Sequence, residues 1–120
     1  MLIVAGGLGT LFRYSLSELI HKMFGSGFPF GTMFVNVLGC FVMGILMAMF
    51  ESKTHLSNDL KTIVLVGFIG AFTTFSTYIF ETQAFMKNAD WHFAALNLIL
   101  QNVIGIACLI AGMKAGEMLF

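Results

Sequence analysis

Residues 67–81 read GFIGAFTTFSTYIFE, and this stretch decides how the chain is organised. It lies inside a long apolar segment yet is poorly made for an ordinary membrane helix. Gly67 and Gly70 are followed by four hydroxyl residues, Thr73, Thr74, Ser76 and Thr77. Aromatic residues interleave them: Phe68, Phe72, Phe75, Tyr78 and Phe80. Glycine and β-branched threonine both weaken a helix. Backbone exposed by a weak helix cannot face lipid, so a break here must line a cavity or lie buried in protein. The competing reading is a packing face, with glycine for close approach and Thr or Ser bonded back to the preceding turn. For one residue the packing reading is the better one; for the whole run a functional reading is favoured.

Outward from this stretch, composition sets the class. The chain has 120 residues, 58% hydrophobic and 10% charged, with a mean hydropathy of +0.92. A soluble domain of this length has too little interior to hide that apolar surface. The expected fold is therefore an all-α integral membrane protein, a single domain over residues 1–120. Four apolar segments, about 2–24, 31–50, 60–84 and 93–117, are each long enough for a hydrocarbon core of roughly 30 Å. The connections between them are short, so neighbouring helices should run antiparallel. Trp91 and His92 stand where an interfacial anchor is expected. The apolar start, without a basic leader or a small-residue cleavage site, reads as a retained span rather than a signal peptide. Cys40 and Cys108 both fall in apolar segments outside any CxxC pair and read as small buried hydrophobes.

Polar residues within the spans mark the candidate site. Gly6, Gly9 or Thr10, Arg13 and Ser17 share one face of the first helix. Arg13 is costly in a bilayer and should face a vestibule, a bundle interior or a carboxylate, with Glu18 and Glu81 as candidate partners. Thr32, Asn36 and Gly39 share a face of the second helix. An amide at the middle of a span needs a partner; Asn36 either joins helices or donates N–H to an anion. In the last helix Gln101, Gly105, Gly112 and Gly116 form a packing stripe. Three amides, Asn97, Gln101 and Asn102, exceed what packing requires, and Asn102 is the one expected to face water or an ion path.

Charge excludes some functions and suggests an assembly. Six basic and six acidic residues leave net charge +0, which gives nucleic acid no footprint. Lys53, Lys61 and Lys114 flank one side of the spans, and Lys22 and Lys87 the other. So small a bias leaves orientation unset, and two copies inserted opposite ways up can pair as an antiparallel, dual-topology homodimer. His21, His55 and His92 lie near segment ends with no nucleophile or metal-ligand spacing, so an enzyme is not expected.

The pieces GGLGTLFRY at 6–14, GTMFVNVLG at 31–39 and GFIGAFTTFSTYIFE at 67–81 together resemble the small bacterial fluoride channels of the Fluc/CrcB family. The resemblance covers essentially the whole chain, and the third piece is the most specific. It implies a dual-topology homodimer, or a pair with a different homologous subunit, in a bacterial cytoplasmic membrane, with two pores for passive fluoride exit. It implies a third helix broken mid-membrane, whose carbonyls at Gly70 and Thr73 hold one structural sodium that is not transported. It places the pore asparagine at Asn36, the aromatic pair at Phe75 and Tyr78, the first-helix arginine at Arg13 and the glutamate after the break at Glu81. Tyr78 departs from the family's Phe, and of the hydroxyl track on the last helix Asn102 matches one position while Ile106 occupies the next. Fluoride is strongly hydrated, so a pore must replace its water; the Asn36 amide and the hydroxyls of Thr32, Ser76 and Thr77 are the donors, with electropositive ring edges beside them. A runner-up reading is a small dual-topology, proton-coupled multidrug exporter. It needs a carboxylate early in the first helix, where this chain has Arg13 centrally and Glu18 only late. A non-transporting scaffold is the third reading; it accounts for the glycine stripes but not for the hydroxyl-aromatic run.

Overall fold

The computed structural model describes residues 1–120, all of them helical or in short connections. Helix α1 runs Leu2–Phe24 and ends at Gly25, whose φ of 83° lets the chain leave the helix. Helix α2 runs Phe30–Ser52. A short α3, Asn58–Thr62, is started by Ser57, whose hydroxyl accepts from Leu60 N. It continues as a π-helix, Ile63–Ile69, then α4, Gly70–Phe72. The chain then pauses at Thr73 and Thr74 before α5, Phe75–Lys87, and the long α6, Trp91–Leu119.

Three helical stretches are long and apolar enough to cross a membrane: Phe30–Ser52, Asn58–Lys87 and Trp91–Leu119. The protein is a multi-pass, all-helical membrane protein. Helix α1 was expected as a fourth span of the same kind. It has the same 23 residues as α2 but is not apolar enough to count with the other three, because Arg13, Glu18 and its small and hydroxyl residues dilute it. The molecule measures 52 × 29 × 23 Å, enough along its length for the roughly 30 Å hydrocarbon core.

The largest packing surface joins α2 to α6. Its close approach depends on missing side chains: a Cβ on Gly112 would overlap the Phe41 carbonyl, and one on Gly44 the Leu109 carbonyl. The stripe expected to pack on α6 is buried, Gln101, Gly105, Gly112 and Gly116 alike. Helix α1 lies instead along the π-helix and α4, with Gly9 against the backbone of Phe68. Aromatic rings close one end, where Phe28 packs on Phe30, Phe85 and Phe93 at centroid separations of 5.2 to 6.0 Å. Only 22 of 120 residues are buried, and Ile3, Val66, Ile99 and Ile106 are among many large apolar side chains left exposed. That surface is suited to lipid or to another membrane chain rather than to water.

Candidate ion-path site at the helix interruption

The site is built around Thr73 and Thr74. Thr73 has φ −88° and ψ 160°, and Thr74 φ −147° and ψ 119°, so two extended residues separate α4 from α5. In an unbroken helix Thr74 N would donate to Gly70 O, and Thr77 N to Thr73 O. Here Thr74 N donates to Asn36 Oδ1 at 2.8 Å, and Thr77 N to Thr74 Oγ1 at 3.3 Å. The carbonyls of Gly70 and Thr73 are thus among those at the interruption that lack their helical donors. Thr74 acts as the N-cap of α5, in keeping with the preference for hydroxyl residues there. Thr73 closes the preceding turn, donating both N–H and hydroxyl to Ile69 O at 3.1 and 3.2 Å.

Asn36 reaches the interruption from α2. It accepts from Thr74 N, and its two N–H groups go to Thr74 O at 3.0 Å and to Gln101 Oε1 at 2.8 Å. Both donors are thus spent on protein. Of the two roles left open by the sequence, joining helices or donating N–H to an anion, this geometry shows the joining one, as a clamp on the Thr74 peptide.

A cavity of 380 Å³ opens on one side of the interruption. It is lined by Asn36, Gly39, Thr73, Thr74, Phe75, Tyr78, Gln101 and Asn102 with apolar neighbours. The Phe75 and Tyr78 rings meet with centroids 5.7 Å apart and planes tilted by 59°. Phe75 is 73% exposed while Tyr78 is buried. Asn102 Nδ2 donates to Tyr78 Oη at 2.9 Å and to Leu98 O at 2.8 Å. A carbonyl only accepts, so the nitrogen placement is forced, and the Tyr78 oxygen must be the acceptor. Its own O–H is left free to donate.

The remaining predicted residues lie on the other side. Arg13, Thr32, Thr74 and Thr77 line a second cavity of 240 Å³ with Ser17 and Glu18. An adjoining one of 310 Å³ holds Thr32, Thr77, His21, Glu18 and Glu81. Thr74 faces both the first cavity and this polar vestibule, so the interruption is the wall between them. Ser76 joins neither group and sits beside Phe75 on an open surface with Phe80 and Gln83.

Arg13 lines the vestibule, one of the settings expected of it, but without either candidate carboxylate partner. Neither Glu18 nor Glu81 pairs with it; its Nε donates to Ala71 O at 3.1 Å. That carbonyl belongs to the last turn before the interruption, where a helix presents negative charge and a guanidinium is favoured. Glu81 is engaged by Thr32, whose hydroxyl donates to Oε1 at 2.6 Å, while Oε2 is buried without a partner.

Two features of the site were not read from the sequence. The π-helix ahead of Gly70 has no clear residue signature, although such widened turns often accompany functional sites. The roles of Gln101, Asn97 and Thr82 were also missed; the excess of amides in α6 was the available signal, but it was assigned to Asn102.

The chain is similar to known proteins over nearly its whole length. The family described as CrcB-like protein, Camphor Resistance (CrcB), matches residues 1–113. A protein of Desulforapulum autotrophicum named fluoride-specific ion channel FluC is 47% identical over 97% of this chain and 93% of its own length. Proteins of the same name from Nitrosococcus oceani and Maridesulfovibrio salexigens are 43% and 41% identical, covering 97% and 98% of this chain and 93% and 94% of their own. With a family match across nearly its whole length and relatives this similar end to end, the chain belongs to the CrcB family.

Proposed function

We propose that this protein is a fluoride-selective channel, not an enzyme, which lets fluoride leave the cytoplasm passively across the bacterial inner membrane and so lowers its toxicity. The observation that carries the reading is the interruption itself, set between an aromatic-lined cavity and a polar vestibule. A dehydrated anion needs donors and positive potential from groups that are already oriented. The Tyr78 O–H and the tilted edges of Phe75 and Tyr78 supply the first on one side. Thr32, Thr77 and Asn102 line the approaches, and Arg13 raises the local anion concentration in the vestibule.

A cation fits beside this path. The carbonyls of Gly70 and Thr73, relieved of their helical donors, offer uncharged hard oxygens of the sort that coordinate sodium where membrane helices are unwound. When bound, a structural sodium supplies a fixed positive charge that favours an anion nearby, and this attraction strengthens at low dielectric. Two carbonyls are too few for a complete site, so a second copy, related by a two-fold axis in the membrane plane, would contribute the other pair. The interruption would then stand at the middle of the bilayer and at the centre of an antiparallel dimer. The same partner would cover Phe75.

Purified protein in liposomes tests the reading. Fluoride-loaded vesicles should release fluoride, measured with an ion-selective electrode, while chloride-loaded vesicles retain their contents. Equal release of both anions, or proton-coupled export of organic cations instead, would remove it.

A further inference from the structure

Four polar side chains join α2, α5 and α6 into one line of hydrogen bonds, and the line has a direction. It begins at Thr74 N, which can only donate, so the Asn36 atom facing it is oxygen. The Asn36 nitrogen then faces Gln101, which must present Oε1 at 2.8 Å. Gln101 Nε2 therefore donates to Asn97 Oδ1 at 2.9 Å, and Asn97 Nδ2 to Thr82 Oγ1 at 2.9 Å. The Thr82 hydroxyl finally donates to Tyr78 O at 2.8 Å, and that carbonyl can only accept. Reversing any one amide would set donor against donor at its neighbour in the line. Both ends of the line are backbone groups of one short segment, Thr74 and Tyr78. Between them lies the first turn of α5, with Phe75, Ser76 and Thr77. Asn97 is fully buried, Thr82 is 3% exposed, and neither lines the cavities on the two sides of the interruption.

We propose that Gln101, Asn97 and Thr82 are positioning residues which, acting through Asn36, hold the first turn of α5 in the geometry that handles the anion. This rests on the fluoride-channel reading but concerns residues that need not touch the ion. A buried network with every member satisfied makes a segment rigid, and a partly satisfied one is costly. The line therefore sets where the Phe75 and Tyr78 rings and the Thr73 carbonyl stand relative to one another.

Thr82→Val tests it, since the change removes one hydroxyl and little volume. Assembled protein in detergent should show faster hydrogen exchange at the Thr74 amide, by about tenfold, the scale of losing one buried hydrogen bond. In liposomes its fluoride-over-chloride flux ratio should fall, and Thr82→Ser should restore both quantities. Asn97→Leu cuts the line one step nearer Asn36 and should behave alike. Wild-type exchange at Thr74 and a wild-type flux ratio in Thr82→Val would overturn the proposal. So would failure of both Thr82→Val and Asn97→Leu to assemble, which would make the line a requirement for folding alone. If the wild-type protein passes no fluoride, the functional reading falls, while the Thr74 exchange still decides whether the line holds this segment.

Discussion

Asn36 has one acceptor and two donors facing protein and commits all three, two of them to the Thr74 peptide. Removing it leaves a peptide N–H, a peptide carbonyl and the Gln101 oxygen short of partners, at about 1–3 kcal/mol for each group that stays buried and unsatisfied. Asn36→Ala should therefore lose fluoride flux and also lower the thermal unfolding temperature in detergent. A variant lacking flux but of unchanged stability would instead return Asn36 to the role of direct ligand. Tyr78 behaves differently, because only its hydroxyl is at issue and Phe keeps the ring. Tyr78→Phe should assemble normally, yet carry less fluoride at low concentration, by about tenfold or more, the scale of one hydrogen bond to a charged group. An unchanged dependence of flux on fluoride concentration would show that the free O–H does not meet the ion. Both residues were visible in the sequence as places of interest. Their bonds were not, because Gln101 stands 65 positions from Asn36 and only the fold brings the two amides together.

At the scale of elements, two glycines show why the interruption keeps its shape. A Cβ on Gly39 of α2 would overlap the Thr73 methyl, whereas one on Gly70 would meet only the Leu65 carbonyl at an ordinary 3.7 Å. Gly39→Ala should thus displace the extended pair and cost about 1–3 kcal/mol, as overpacking does. Gly70→Ala should be accommodated within the chain. Comparing unfolding temperatures of the two variants checks this, and equal losses would contradict the packing described. The legible part of the fold followed from local rules. Apolar length marked the spans, and the cluster of glycine and hydroxyl residues marked a weak helix within the third. The α6 stripe of Gln101, Gly105, Gly112 and Gly116 was read correctly as a buried face from its spacing alone. The vestibule setting of Arg13 was legible from its cost in a bilayer, but its partner was not, because charge suggests a carboxylate whereas the acceptor it meets is a carbonyl made available by the end of a helix. The π-helix was not legible, since a widened turn depends on tertiary packing more than on any residue type.

The whole molecule has a thin core and a broad apolar surface. An isolated copy leaves Phe75 exposed and the cavity it lines open on one side. A second copy in the opposite orientation would cover both, and the near balance of flanking lysines permits either insertion. Purified protein should accordingly have twice the chain mass of 13.2 kDa by light scattering after correction for detergent, and a terminal tag should be found on both sides of the membrane in cells. A monomeric mass or a single orientation would contradict that assembly. The central claim is that the interrupted third span is where the anion meets the protein, and Phe75 tests it most directly because truncating an exposed ring disturbs little of the chain's own packing. The measurement is the initial fluoride efflux rate from liposomes containing assembled Phe75→Ala protein. The account predicts a fall of at least about tenfold relative to wild type; efflux at the wild-type rate would contradict it.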